Sequence, residues 1–249
     1  MSNSDPHAVV LAAGKGTRMK SELPKVLCQV ADRPMIHFVL DALQDAGVAK
    51  SIVVVGYRGD TVRSELQTRG DTVAFAEQTE QLGTGHAVMM CREALDRVTG
   101  PTVVLAGDSP LVQSVSLKKL LDHFDATRPA LLLGTLRVDD PTGLGRIVRD
   151  DDGNFLGIVE HKDANESQRE IREVNMSTYV FDTPRLLEAL DQLRNDNAQA
   201  EYYLTDTAEI LRNLGHPVEA LPVLDPVEAM SINNPEQLRA VDQFMRARL

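Results

Sequence analysis

Five short apolar runs, Ala8 to Ala12, Ser51 to Val55, Thr72 to Phe75, Thr102 to Ala106 and Ala130 to Val138, punctuate the first 138 residues. Helical patterns lie between the first four and after the fourth, and this alternation packs as a largely parallel sheet covered by helices. The covering stripes are plain. Ile36, Val39, Leu40 and Leu43 recur at i, i+3, i+4, i+7 after Pro34 and stop at Gly47. Leu117, Leu120, Leu121 and Phe124 repeat the pattern behind a Ser114 or Ser116 cap, and Gly85 is expected to open a helix over Ala87 to Val98. These stripes are core and carry no chemistry.

From about residue 139 glycine and charge rise, and a second, smaller lobe is expected. Short strands at Arg146 to Arg149 and Phe155 to Glu160 flank Asp151-Asp152-Gly153-Asn154, which reads as a hairpin turn. Arg172 to Phe181 and Val218 to Val223 read as strands, and Leu186 to Leu193 and Asp206 to Leu214 as helices. A closing helix starts at Asn234-Pro235, a good N-cap and N1 pair. With 249 residues and 43% hydrophobic content, one α/β domain can bury its own core.

The net charge of -11 argues against nucleic acid or an anionic membrane as partner. Against that background Lys15, Arg18, Lys20 and Lys25 place four positive charges in eleven residues, opposed only by Glu22. They belong to Leu11-Ala12-Ala13-Gly14-Lys15-Gly16-Thr17-Arg18-Met19, which follows the first strand and is closed by Pro24-Lys25. Gly14 and Gly16 let the backbone turn and bring its N–H groups against an anion. The spacing is neither GxxxxGK[ST] nor GxGxxG. The ligand expected here is small and multiply anionic.

Asp108 follows the strand ending at Ala106, at the carboxyl end where open α/β sheets bind ligands. It is the first candidate magnesium ligand, a turn cap being the alternative. Cys28 and Cys91 show neither disulfide nor zinc spacing and read as buried thiols. No leader pattern opens the chain and no apolar run approaches the roughly 20 residues of a membrane span, so a cytoplasmic enzyme is expected.

The basic loop, LAAGKGTRM followed by LPKVL, resembles the signature of sugar-nucleotide pyrophosphorylases. Four further segments narrow the likeness: Glu80 to Ala87 (EQLGTGHA), Asp139 to Ile147 (DDPTGLGRI), Glu160 to Ala164 (EHKDA) and Asn197 to Asp206 (NAQAEYYLTD). In this order they resemble the uridylyltransferase domain of bacterial N-acetylglucosamine-1-phosphate uridylyltransferases. The resemblance implies a Rossmann-like nucleotide-diphospho-sugar transferase fold. Residues 1–138 would form mainly the nucleotide-binding part, 139–225 the sugar-binding lobe, and 226–249 a metal-ligand loop and closing helix. The β-helix acetyltransferase domain of bifunctional members is not predicted.

It also implies a reaction: UTP and an amino-sugar 1-phosphate as substrates, magnesium as cofactor, and no obligate protein partner. Leu11, Ala12, Ala13, Gly14 and Lys15 would border the nucleotide, with Gln78 and Gly83 at the base and Thr84 adjoining the nucleotide. Arg18 and Lys25 are the expected catalytic cations. Asp108 and Asn233 would hold the metal, and Gly145, Glu160, Asn175, Glu201, Tyr203 and Thr205 the sugar phosphate. An attacking phosphate is already an oxyanion, which suits a chain with no evident nucleophile triad. Two departures from relatives, Met176-Ser177 where Thr-Gly is common and Ala106 where Tyr is frequent, leave room for another hexose or nucleotide, with the added side-chain bulk of Met176-Ser177 expected to narrow the sugar pocket or alter which sugar it accepts. A non-catalytic sugar-nucleotide sensor is the rival of another class, and a dehydrogenase is least compatible.

Overall fold

The computed structural model describes residues 5–19 and 21–248; Lys20 of the basic loop and the first four residues lie outside these. The strands are β1 His7–Ala12, β2 Gln29–Val30, β3 Arg33–Pro34, β4 Lys50–Val55, β5 Val73–Glu77, β6 Pro101–Ala106, β7 Leu131–Arg137, β8 Arg146–Arg149, β9 Phe155–Val159, β10 Glu173–Asp182 and β11 Val218–Pro222. The α-helices are α1 Met35–Asp45, α2 Gly59–Glu65, α3 Thr84–Met89, α4 Arg92–Leu95, α5 Ser114–Thr127, α6 Glu166–Arg169, α7 Thr183–Leu190, α8 Asp206–Asn213 and α9 Pro235–Arg246.

The main sheet runs β11-β7-β10-β6-β1-β4-β5. The four strands from β6 to β5 are parallel, as are β11 and β7, while β10 enters antiparallel between β6 and β7. Successive residues of each strand feed opposite faces. Val10, Val53 and Val55 join Ile36, Leu43, Leu117 and Phe124 on the α1/α5 face. Val9, Ile52 and Val54 join Val88, Leu186 and Leu211 on the other. The two stripes read from the sequence thus cover one face.

Two expectations fail locally. Residues 87–98 do not form one helix: α3 ends at Met89 and α4 starts at Arg92. The Cys91 thiol donates to the Ala87 carbonyl, the acceptor its own N–H would use in a continuing helix, and that N–H turns to Val88 O at 2.9 Å. Burial pushes this thiol up to about 12. Nor does a serine cap α5. Glu228, far along the chain, accepts from the Gln113 N–H at 3.1 Å and from Ser116 Oγ at 2.5 Å, placing a carboxylate at the helix N-terminus.

The hairpin β8–β9 joins the sheet through Val174 opposite Arg146, just past the point where β6 has ended. Its anchor is ionic. The Glu173 carboxylate, 6% exposed, accepts from Arg149 Nη2 at 2.6 Å, from Arg149 Nε at 2.9 Å and from Thr135 Oγ1 at 2.7 Å. Arg149 also donates to Ala220 O at 2.6 Å, so one guanidinium ties the hairpin to β10 and β11, and Glu173 passes the link on to Thr135 of β7. Burial pushes the Glu173 carboxyl up, but the Arg149 and Thr135 hydrogen bonds outweigh it and hold it below its ordinary 4.5.

Replacing Arg149 by Met strands that carboxylate, and urea unfolding at neutral pH is expected to show a loss of about 3 kcal/mol. In the unmodified protein the contribution is complete above pH 4.5 and fades as pH falls through the lowered folded value. The variant, lacking the ion pair, should show no such fall in that acid window.

Candidate functional site

The basic loop leaves β1 at the carboxyl edge of the sheet. Leu11 O accepts from the Gly107 N–H at 2.9 Å, and Ala13 O accepts from the Tyr57 N–H at 3.1 Å and from Gln81 Nε2 at 2.9 Å. Ala12 and Ala13 are buried, whereas Gly14 and Lys15 are exposed. The two glycines differ. Gly16 has φ +63°, and a Cβ there would stand 2.7 Å from Lys25 Cβ; at Gly14 a Cβ would meet nothing within 4 Å. A turn at Thr17–Met19 then buries Met19 among Cys28, Val30, Met35, Ile232 and Val241, which ties the loop to the approach of α9.

Lys25, Asp108 and Asn233 meet. Pro24 precedes the 3-10 turn Lys25–Leu27, and the Lys25 ammonium lies 2.5 Å from Asp108 Oδ2 and donates to Asn233 Oδ1 at 3.1 Å. Arg18 Nη2 reaches the same Oδ1 at 3.5 Å. The Asn233 amide is set from behind, its Nδ2 donating to Ser231 Oγ at 3.1 Å and its N–H to Gln237 Oε1 at 2.7 Å. Asn234 caps α9 through the Glu236 and Gln237 N–H groups. Lys15 stands apart, its Nζ 5.2 Å from the centre of the Tyr57 ring.

The base-side turn is bonded to the 201–204 segment. Gln78, buried, donates through Nε2 to Gly83 O at 3.0 Å and to His86 Nδ1 at 3.1 Å, so its amide shapes the turn. The Tyr202 N–H donates to Leu82 O at 2.7 Å, the Gly85 N–H to Tyr202 O at 2.8 Å, and the Leu204 N–H to Thr84 Oγ1 at 3.1 Å. Gly83 has φ +102°, and a Cβ there would lie 2.5 Å from Tyr202 O and 2.9 Å from Glu201 Cβ. Thr205 opens α8 without a side-chain cap.

Gly145, Glu160 and Asn175 form a second group. A Cβ on Gly145 would lie 3.4 Å from Glu160 Oε1 and 3.7 Å from Asn175 Cβ, and the Asn175 N–H donates to Gly145 O at 2.9 Å. The β10–β6 pairing sets Tyr179 opposite Val104, and β10 bulges between Asn175 and Thr178, beyond the end of that pairing. Asn175 is held by Tyr179, whose hydroxyl accepts from its Nδ2 at 3.1 Å, and by Ser177, whose N–H donates to its Oδ1 at 3.1 Å. Tyr203 donates to Gln199 Oε1; desolvation and the carboxylates of Glu201, Asp206 and Glu160 push its phenol up, so these groups share one field.

The Met176-Ser177 departure takes a different form from the one expected. Met176 packs against the core on the α1/α5 face, so its bulk is taken up there. Ser177 adopts φ +53°, a conformation that favours glycine. Arg146 was also missed from sequence: it is buried, donates to Leu144 O and to His161 Nδ1 at 3.2 Å, and leaves Nε without a partner among the described residues. Tyr57 is another omission, and Gly56-Tyr57, directly after β4, was the signal for it. Tyr179 gave none, because a tyrosine inside an apolar strand reads as core.

This arrangement, a cationic loop and a carboxylate at the carboxyl edge of a parallel sheet with polar groups gathered above it, suits a protein that handles nucleotides. Residues 7–222 match the nucleotidyl transferase family, and the chain belongs to it. Among curated relatives, the bifunctional protein GlmU of Heliobacterium modesticaldum is 49% identical over 242 residues, covering 97% of this chain and 52% of that protein. GlmU of Exiguobacterium sibiricum is 46% identical over 241 residues, with 97% and 53% covered. The chain therefore spans about half the length of the curated relatives it matches. A Bacillus anthracis structure described as a glucose-1-phosphate thymidylyltransferase, solved with sucrose, superposes with a TM-score of 0.80 at 17% identity. It covers 97% of this chain and 95% of that one, and shares the fold.

Replacing Gly83 by Ala forces a side chain into left-handed backbone and onto Tyr202 O, and denaturation should show a loss of about 2–4 kcal/mol. Gly14→Ala, with nothing for its Cβ to meet, should stay within about 0.5 kcal/mol of the parent.

Proposed function

We propose that the protein transfers a uridylyl group from UTP to N-acetylglucosamine 1-phosphate, giving UDP-N-acetylglucosamine and pyrophosphate. The observation that carries this reading is the meeting of Lys25, Asp108 and Asn233 beside a loop that resembles the pyrophosphorylase signature. The relatives named GlmU support the choice of substrates.

A sugar-phosphate oxygen attacks the α-phosphorus in line, and the bond to the bridging oxygen breaks so that its electron pair leaves with pyrophosphate. The attacking oxygen is already anionic, so the chain's work is to position both substrates and neutralise charge. Lys15 and Arg18 face the β- and γ-phosphates, and Lys25 reaches the α-phosphate. Leu11, Ala12, Ala13 and Gly14 carry the loop backbone past the nucleotide, with Gln78 and Gly83 at the uracil and Thr84 adjoining the nucleotide. Gly145, Glu160, Asn175, Glu201, Tyr203 and Thr205 bound the sugar, where mixed donors and acceptors match hydroxyls and an acetamide.

The donor set fits magnesium. Asp108 Oδ2 and Asn233 Oδ1 both lie within reach of one cation, the Lys25 ammonium, and magnesium favours one or two protein oxygens completed by phosphate and water. Bound there, magnesium supplies charge neutralisation on the phosphates. Residues 1–138 then serve the nucleotide, 139–225 the sugar and 226–249 the metal. Among the described residues no helix is long and apolar enough to cross a membrane.

The test is pyrophosphate release across four nucleoside triphosphates and several hexose 1-phosphates, with and without magnesium. Release with UTP and N-acetylglucosamine 1-phosphate is expected, and chelation should abolish it. UDP-sugar binding without turnover would instead make the protein a sensor. Arg18→Ala and Asp108→Ala should each lower kcat/KM by about 10²-fold or more.

A further inference from the structure

Lys25 and the proposed metal share their partners. The ammonium is 2.5 Å from Asp108 Oδ2 and 3.1 Å from Asn233 Oδ1, the two oxygens assigned above to a divalent cation. Neither charge is well screened, since the Lys25 side chain is 16% exposed and that of Asp108 26%. The oxygens are held in place by Ser231, Gln237 and the α9 cap, and the Lys25 main chain by Pro24 and the close approach of Gly16. What remains mobile is the lysine's own four-carbon stem.

A divalent ion bonded to Asp108 Oδ2 at about 2.1 Å would stand within about 4 Å of an ammonium on the same oxygen, and the repulsion at that distance makes the two compete for it. Building on the metal assignment above, we infer that Lys25 and the divalent cation exchange on Asp108 and Asn233. When the metal binds, Lys25 leaves these oxygens, and the ammonium so released is the one presented to the nucleotide's phosphates. The coupling is reciprocal: a phosphate that draws Lys25 away frees the carboxylate for the metal, and the metal frees Lys25 for the phosphate.

The experiment measures Mn2+ binding by electron paramagnetic resonance to the full chain without nucleotide, in the parent, Lys25→Met, Lys25→Arg and the double variant Lys25→Met/Asp108→Asn. Thermal melts of each confirm folding, and Lys25→Gln replaces Lys25→Met if that variant is unfolded. Lys25→Met is expected to bind Mn2+ about tenfold or more tightly than the parent, because the competing charge is gone. Lys25→Arg should stay as weak as the parent, and Asp108→Asn should erase the gain. Mn2+ should also raise the Tm of Lys25→Met more than that of the parent. Equal Mn2+ affinity in Lys25→Met and the parent overturns the exchange. The metal assignment falls separately, if Asp108→Ala keeps full magnesium-dependent turnover.

Discussion

Three stretches of chain more than eighty residues apart converge on one ammonium group, and much of the structure serves to make them converge. The Lys25 side chain reaches Asp108, which leaves the sheet just after β6, and Asn233, which sits just ahead of α9. Each arm has its own brace. The Gly107 N–H bonded to Leu11 O ties the Asp108 turn to the root of the basic loop, and the Met19 side chain shares its apolar pocket with Ile232, next to Asn233. A cation with two fixed oxygen partners can therefore be placed from parts that have little sequence proximity. The surrounding charge of -11 makes the placement more selective, since an anion is attracted only where cations are gathered.

The site is electrically divided. Arg18 and Lys25 meet at Asn233, with Lys15 apart beside Tyr57, while Glu160, Glu201 and Asp206 raise the negative field at Tyr203. The segment that carries Glu201 and Tyr203 is hydrogen-bonded to the turn that carries Gly83 and Thr84, so these two pieces hold each other in place.

Much of the fold is legible in the sequence, because strands and amphipathic helices announce themselves by period, and the basic loop stands out by its charge density against an acidic background. Asn234 and Pro235 at the start of α9 follow from residue type alone. What was not legible depends on contacts between distant residues. The cap of α5 comes from Glu228, more than a hundred residues on, and the break between α3 and α4 falls at Cys91, whose N–H turns to Val88 O. Tyr179 looked like core because it is core; only its hydroxyl, aimed at Asn175, sets it apart. Gly14 and Gly16 look alike in the sequence, and only the approach of Lys25 distinguishes them. The course of Met176 into the core also needed the fold, since adjacent residues of an irregular strand do not reveal which face each takes.

The antiparallel strand β10 has a consequence for how the chain is made. It pairs with β6 on one side and β7 on the other, yet it is synthesised after both. Until β10 has been made, the edges of β6 and β7 that it covers have no partner strand within the chain, and bare strand edges are open to pairing with other chains. The strand that covers them also carries Asn175. No molecule with a finished sheet can lack that amide, so completing the fold and furnishing this part of the site are one event.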